Sequence, residues 1–269
     1  MSNTQTPQLI ALDIDGTLLP PGVAADALPD AELTRVIKQL MDAGIACVLA
    51  TGRMYPGTQR IAGHLGIELP LICQQGAVTH ELDGRRKRQV PIDPTIAQAL
   101  VDYAIAEEWT YAWFDSERYL VSADHEQCKA FAEVSGIALE QVSQPHRSGL
   151  VATGVDIIST RDQSTLVHDH LAQEHGERIQ LVNFPAVTAA YAPEATKAHA
   201  LAELARELAI PQSAIMAIGD GVNDVSMLRW AGMSCAPAHC DAAARAAAGE
   251  ILPGVGVSGV LNRLRGLLV

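Results

Sequence analysis

At 269 residues, 48% of them apolar and 4% aromatic, the chain is long enough for one large α/β domain or for a core carrying a substantial insertion. A formal net charge of −12 excludes broad nucleic-acid binding, which needs a basic surface to neutralise phosphates. The polar, uncharged Met1–Gln8 segment, and the lack of any apolar run near the roughly 18 residues of a membrane span, predict a cytoplasmic protein with no membrane partner.

Leu9-Ile10-Ala11-Leu12 reads as a short buried strand, and Leu33, Val36, Ile37, Leu40 and Met41 sit at helical spacing ahead of Gly44. The near-continuous apolar run 45–50 suits a strand covered on both faces of a parallel sheet. A helix over 56–64, a third apolar run at 69–73 and a turn at Gly76 continue the strand–helix alternation. The middle of the chain differs. Residues 110–114 and 118–121 flank Asp115-Ser116-Glu117 as a hairpin, with strands expected at 154–159 and 179–184 and helices near 93–107, 124–135 and 162–175. Alternation resumes with a helix through Ala198, Leu201, Leu204 and Leu208, a strand at 214–218, a strand near 233–236 and helices at 241–248 and 258–267. The fold class expected is α/β: a Rossmann-like parallel-sheet core from 1–89 and 190–269, with an inserted α/β cap domain at 90–189.

Three polar clusters each follow a buried-type strand: Asp13 with Asp15, Thr51-Gly52-Arg53, and Asp220 with Asn223 and Asp224. Ligands of parallel α/β sheets bind at the carboxyl ends of the strands, so the clusters should share one crevice. Asp13 and Asp15 lie two apart and would face one side of an extended segment, before Gly16 turns the chain and Thr17 caps it. With Asp220 they offer the hard oxygen ligands that suit Mg²⁺. Taken alone, such a segment could be no more than a capping turn, and Thr51 no more than a strand-end cap.

The ordered set Asp13-Ile14-Asp15-Gly16-Thr17-Leu18-Leu19, Ala50-Thr51-Gly52-Arg53, Lys197 and Gly219-Asp220-Gly221-Val222-Asn223-Asp224 resembles the four motifs of the haloacid dehalogenase superfamily of phosphatases, in its Cof-like branch with a type IIB cap. The resemblance spans nearly the whole chain. It implies a Mg²⁺-dependent phosphatase acting on small phosphorylated metabolites, sugar phosphates among them, through an aspartyl-phosphate. By the resemblance, Asp13 is the nucleophile and a metal ligand, and Asp15 is the general acid/base that binds metal through its backbone carbonyl. Asp220 is a further ligand, Asp224 orients metal-bound water, and Lys197 offsets phosphoryl charge. Thr51, Gly52, Asn223 and Lys197 would bind phosphate, and Arg53 either joins them or forms a structural ion pair. The two aspartates need different protonation states: Asp13 is expected to stay ionised beside Mg²⁺, and Asp15, facing neighbouring negative charge and an apolar wall, to hold a proton when substrate arrives.

Two other readings share these residues: a phosphomutase, and a non-catalytic sugar-phosphate sensor, which would have no use for the acid/base group Asp15. Gly219-x-Gly221 is not a dinucleotide fingerprint, because Asp224 fills the third glycine position. The basic run Arg85-Arg86-Lys87-Arg88 reads as a solvated hairpin edge, with anion steering as the alternative, and His168, His170 and His175 as surface histidines. The scattered Cys47, Cys73, Cys128, Cys235 and Cys240 are expected as reduced thiols, and Cys235, His239 and Cys240 fall short of a four-ligand metal site. Gln75-Gly76 stands where relatives carry Asn-Gly, and Ala238-His239-Cys240 where they carry Gly-Asn-Ala.

Overall fold

In the computed structural model, which describes residues 6–268, the chain enters through β1 (Leu9–Leu12), whose four side chains are all buried. Helix α1 (Ala31–Asp42) starts where the Asp30 carboxylate accepts from the Leu33 N–H at 2.7 Å, and it turns Leu33, Val36, Ile37 and Leu40 inward. Next come β2 (Ala46–Leu49), α2 (Tyr55–Leu65), β3 (Leu71–Cys73), β4 (Val78–His80) and β5 (Arg86–Gln89). The last three strands pair as a small antiparallel sheet, joined to β2 by a parallel bridge between Ala50 and Ile72.

The middle segment runs through α3 (Pro94–Ala106), β6 (Thr110–Phe114), β7 (Tyr119–Val121), α4 (Glu126–Ser135), β8 (Leu139–Gln141), β9 (Gly154–Ile158), α5 (Ser164–His175), β10 (Gln180–Phe184) and β11 (Val187–Tyr191). Its six strands pair in the order β10-β11-β9-β6-β7-β8, and β11 continues past residue 189. One face of this sheet packs under α3 and α5 through Leu100, Tyr111, Val155, Ile157 and Leu171. The other face gathers Phe114, Tyr119 and Tyr191 with Cys128 and Ala132 of α4, and meets Met54, Ala77 and Val78 of the first segment.

The chain then returns through α6 (Lys197–Glu207), β12 (Ile215–Ile218), α7 (Val225–Trp230), β13 (Met233–Pro237), α8 (Ala242–Ala247), β14 (Glu250–Leu252) and α9 (Ser258–Arg265). Strands β14-β13-β12-β1-β2 form one all-parallel sheet with β1 flanked by β12 and β2. Helices cover both of its faces, which is why β1, β2 and β12 are apolar throughout. The architecture is the α/β parallel-sheet core with additional sheets that the alternation of elements predicts. Among the described residues no helix is long and apolar enough to cross a membrane. All five cysteines are buried and unpaired.

Asp156, on β9, carries a cost into this fold. It is buried between Ala112 and Ala189 of the neighbouring strands, accepts from the Tyr119 hydroxyl at 3.1 Å and has no partner for its other oxygen. Burial pushes its carboxyl up to about 7. An acid whose folded pKa lies above its unfolded value stabilises the fold at low pH, and that contribution is lost as pH rises through about 7. Asp156→Asn keeps an acceptor for Tyr119 and should therefore flatten this loss. We expect the variant to melt above the parent at pH 8 and close to it at pH 4, the gain being a few kcal/mol at most. A parallel fall of both proteins with pH would show that Asp156 does not carry the effect.

Candidate active site

The register of the parallel sheet assembles the site. Leu12 stands opposite both Leu49 and Ile218, so the chain leaves β1, β2 and β12 at one level and delivers Asp13, Thr51 and the Gly219–Asp224 loop side by side. The Asp13 N–H donates to the Ile218 carbonyl, extending that alignment one residue beyond the strands.

Lys197 is the first residue of α6, which the Thr196 hydroxyl caps by accepting from the His199 N–H at 3.1 Å. A cation at a helix N-terminus opposes the helix dipole, and this one is also fully buried. Two carboxylates compensate. Its Nζ lies 2.6 Å from Asp13 Oδ1 and 2.5 Å from Asp224 Oδ1. Burial alone would lower the ammonium pKa, but Asp13 and Asp224 hold it above its ordinary value. Asp13 is pushed well up, first by burial and then by Asp224, with Lys197 pulling the other way. The second Asp224 oxygen accepts from the Asp220 and Gly221 N–H groups, both at 2.9 Å, so Asp224 has no oxygen without a partner and serves to fix the loop.

Asp220 completes the acidic group. Its Oδ1 accepts from the Thr17 hydroxyl at 3.1 Å, and burial followed by Asp224 raises it to about 6. Gly16 is what admits it. Its φ is +81°, and a Cβ there would lie 2.0 Å from an Asp220 oxygen. Asp13, Asp220 and Asp224 present oxygens within 4.8 Å of one another, a cluster that could hold a metal ion. The elevated Asp13 and Asp220 fit that use: burial raises both first and neighbouring carboxylates second, and a divalent cation would favour their charged forms against both.

On the other side of Asp13, Thr51 is buried, and its Oγ1 accepts from the Arg53 N–H at 3.2 Å, leaving the hydroxyl proton to donate. Gln75 reaches across Gly52, where a Cβ would lie 2.4 Å from the Gln75 amide nitrogen, and its Oε1 accepts from Asn223 Nδ2 at 3.2 Å. Gln74 and Gln75 both have positive φ, 48° and 58°, an uncommon backbone for residues with a Cβ. Gln74 faces away from Gln75 and binds the middle segment, donating to the Asp115 carbonyl and accepting from the Thr153 hydroxyl. The sequence marks Gln75 only as a departure from relatives. What it does not announce is the consecutive left-handed turn that brings this amide over Gly52.

Asp15 and Arg53 differ from expectation. The Asp15 carboxylate is half exposed and meets Arg53 Nε at 2.8 Å and Nη2 at 2.5 Å in place of an apolar wall. Arg53 is 2% exposed and so forms the structural ion pair that was one of its two readings. Each residue of the basic run also has a partner: Arg85 pairs with Glu81, Arg86 donates to Ser116, Lys87 pairs with Glu207 and Arg88 with Glu203. These contacts favour the edge-strand role over anion steering. His239 lies 2.7 Å from the Gly16 carbonyl and thereby supports the turn beneath Asp220. His175 is buried, which corrects its reading as a surface residue, because the end of α5 turns it beneath the helix.

A sequence model of the haloacid dehalogenase-like hydrolases matches residues 10–264. Phosphatase YwpJ of Bacillus subtilis is 27% identical over 260 residues, 85% of this chain and 88% of its own length. A phosphoglycolate phosphatase of Aeropyrum pernix is 27% identical over 266 residues, covering 97% and 93% of the two chains. Among solved structures, a haloacid dehalogenase-like hydrolase from B. subtilis superposes with a TM-score of 0.82 at 22% identity, covering 96% of this chain and 99% of that one. A subclass IIB sugar phosphatase gives 0.82 at 19% identity, covering 97% and 100%.

Proposed function

The chain belongs to the haloacid dehalogenase-like hydrolases, and on that premise we propose that it is a Mg²⁺-dependent phosphatase of small phosphorylated metabolites, sugar phosphates foremost, working through an aspartyl-phosphate on Asp13. The observation that carries this reading is the fully buried Lys197 ammonium held between Asp13 and Asp224 at the carboxyl edge of the parallel sheet. Residues 90–189 are the cap, and its inner face closes over the site. The names of the relatives, a phosphoglycolate phosphatase and a sugar phosphatase among them, support the substrate class.

In this mechanism the Asp13 carboxylate attacks phosphorus while the bond to the leaving oxygen breaks, and Asp15 gives that oxygen a proton. Asp15 then takes a proton from the water that hydrolyses the acyl phosphate, which frees inorganic phosphate. Thr51, the Gly52 N–H and Asn223 hold phosphoryl oxygens, with Gln75 orienting Asn223. Lys197 offsets the charge that accumulates on these oxygens and on Asp13. Asp13, Asp220 and the Asp15 backbone carbonyl would hold Mg²⁺, with Asp224 positioning its surroundings. When bound, the ion neutralises phosphoryl charge and screens the nucleophile from its anionic target.

A panel of phosphorylated metabolites assayed with Mg²⁺ and with chelator tests the reading. Phosphate release should need the metal and return on its re-addition, and Mg²⁺ should raise the melting temperature as a ligand of the folded state does. With Asp220 at about 6, protons compete for the site below that pH, so the Mg²⁺ concentration for half-maximal activity should rise steeply under about pH 6. Full turnover in chelator would overturn the metal assignment.

A further inference from the structure

Arg53 reaches three ways. Through Nε and Nη2 it grips both oxygens of Asp15, and through Nη1 it donates at 3.2 Å to the Val134 carbonyl in the last turn of α4. Its guanidinium is planar, so the directions to Asp15 and to Val134 are fixed relative to each other. The α4 end is itself seated on α2. The Met54 N–H donates to Ser135 Oγ at 3.1 Å, and Gly57 is packed so closely that a Cβ would lie 2.3 Å from the Val134 carbonyl oxygen. Helix α4 lies in the segment assigned above as the cap, whereas Asp15 and Arg53 belong to the core. One buried side chain thus spans the seam between the two segments and ends on the carboxylate assigned as the acid.

We propose that Arg53 is a positioning residue that transmits the docking of α4 on α2 to the Asp15 carboxylate, so that Asp15 is aimed at the leaving oxygen when the cap is seated. Arg53 is therefore not a phosphate ligand: its fork is already filled by Asp15 and Val134, and it is almost wholly buried. The fork takes one lone pair from each Asp15 oxygen and leaves another on each for the transferred proton. When the cap lifts, Val134 is withdrawn, the guanidinium loses the acceptor that fixes its plane, and Asp15 loses its aim. In the step affected, the Asp13–phosphorus bond forms, the phosphorus–oxygen bond to the leaving group breaks, and the proton passes from the Asp15 carboxyl to that oxygen.

The inference rests on Asp15 as the leaving-group acid, and the experiment separates the two claims. Phenyl phosphate and 4-nitrophenyl phosphate have nearly the same shape, but nitrophenolate departs without a proton and phenolate does not. The ratio of their kcat/KM values therefore reports how well the acid is placed, and a general loss of fold or binding does not move it. Because kcat/KM stops at the first irreversible step, water attack on the acyl-enzyme does not enter. Asp15→Asn should lower kcat/KM for phenyl phosphate about 100-fold more than for 4-nitrophenyl phosphate. Arg53→Lys keeps the charge without the fork and should show the same bias. Gly57→Ala, which drives α4 off its seat, and the milder Ser135→Ala should each bias the ratio about 10-fold in that direction, although neither residue touches the substrate. If Asp15→Asn lowers both substrates equally, the acid assignment falls and the inference with it. If Asp15→Asn is selective while Arg53→Lys and Ser135→Ala leave the ratio unchanged, Asp15 stands as the acid and the coupling through Arg53 is wrong.

Discussion

Asp13→Asn is expected to lower phosphate release by about four orders of magnitude or more, because the amide cannot form the acyl phosphate and only binding and electrostatic contributions remain. The fold should not suffer. Asn can still accept from Lys197, and it removes a charge that burial and Asp224 already hold well above the ordinary carboxylate range. A group whose folded pKa is raised loses its stabilising contribution as pH rises, so the neutral variant should melt no lower than the parent at pH 8. Steady-state assay and thermal melting on the same preparation therefore separate lost chemistry from lost structure. An inactive variant that has also unfolded would leave no case for a chemical role.

Lys197→Met should damage both activity and stability. The substitution removes the cation from between Asp13 and Asp224, both buried, and a buried pair broken on one side costs about 3–5 kcal/mol. Turnover should fall by about three orders of magnitude, the scale on which one electrostatic stabiliser of a transition state acts. The stability deficit has a predictable pH dependence. Without the ammonium, which pulls Asp13 down, the Asp13 carboxyl is raised further by burial and the Asp224 charge beside it, so folding holds best where Asp13 is protonated and weakens as pH rises. The melting-temperature gap between variant and parent should be wider at pH 8 than at pH 5, and Mg²⁺ should narrow it at pH 8. An equal gap at both pH values would show that methionine packing, and not the loss of charge pairing, sets the cost.

How far the sequence discloses this site depends on the element. The strands behind Asp13, Thr51 and Asp220 are short apolar runs in a strand–helix alternation, and parallel pairing alone then puts their carboxyl ends together. Lys197 is marked only by the resemblance to a family, because nothing in Thr196-Lys197-Ala198 distinguishes a buried ammonium from a surface lysine. The shortest strands are the least legible. β4, β8 and β14 have three residues each, too few to set a period, and β8 is Leu-Glu-Gln. β11 is Ala-rich and runs straight into the return to the core, so its apolar signal merges with the connection that follows. The left-handed pair Gln74 and Gln75 is also invisible, since glutamine carries no preference for positive φ. That turn is held by contacts distant in sequence, Asp115, Thr153 and Asn223, which only the folded chain brings near. The Arg53–Asp15 pair escapes for the same reason. Sequence spacing shows that the two residues lie near one crevice, but not that α4 supplies the carbonyl which completes the arginine's coordination.

The central claim is that Asp13 carries the phosphoryl group during turnover, and trapping tests it most directly. Enzyme quenched during steady-state hydrolysis with Mg²⁺, reduced with borohydride and digested should yield the peptide spanning residues 9–19 with homoserine at position 13, the product of reducing an acyl phosphate there. Conversion at any other carboxylate, or fully unmodified aspartates under conditions where hydrolysis of the intermediate limits turnover, would contradict the account.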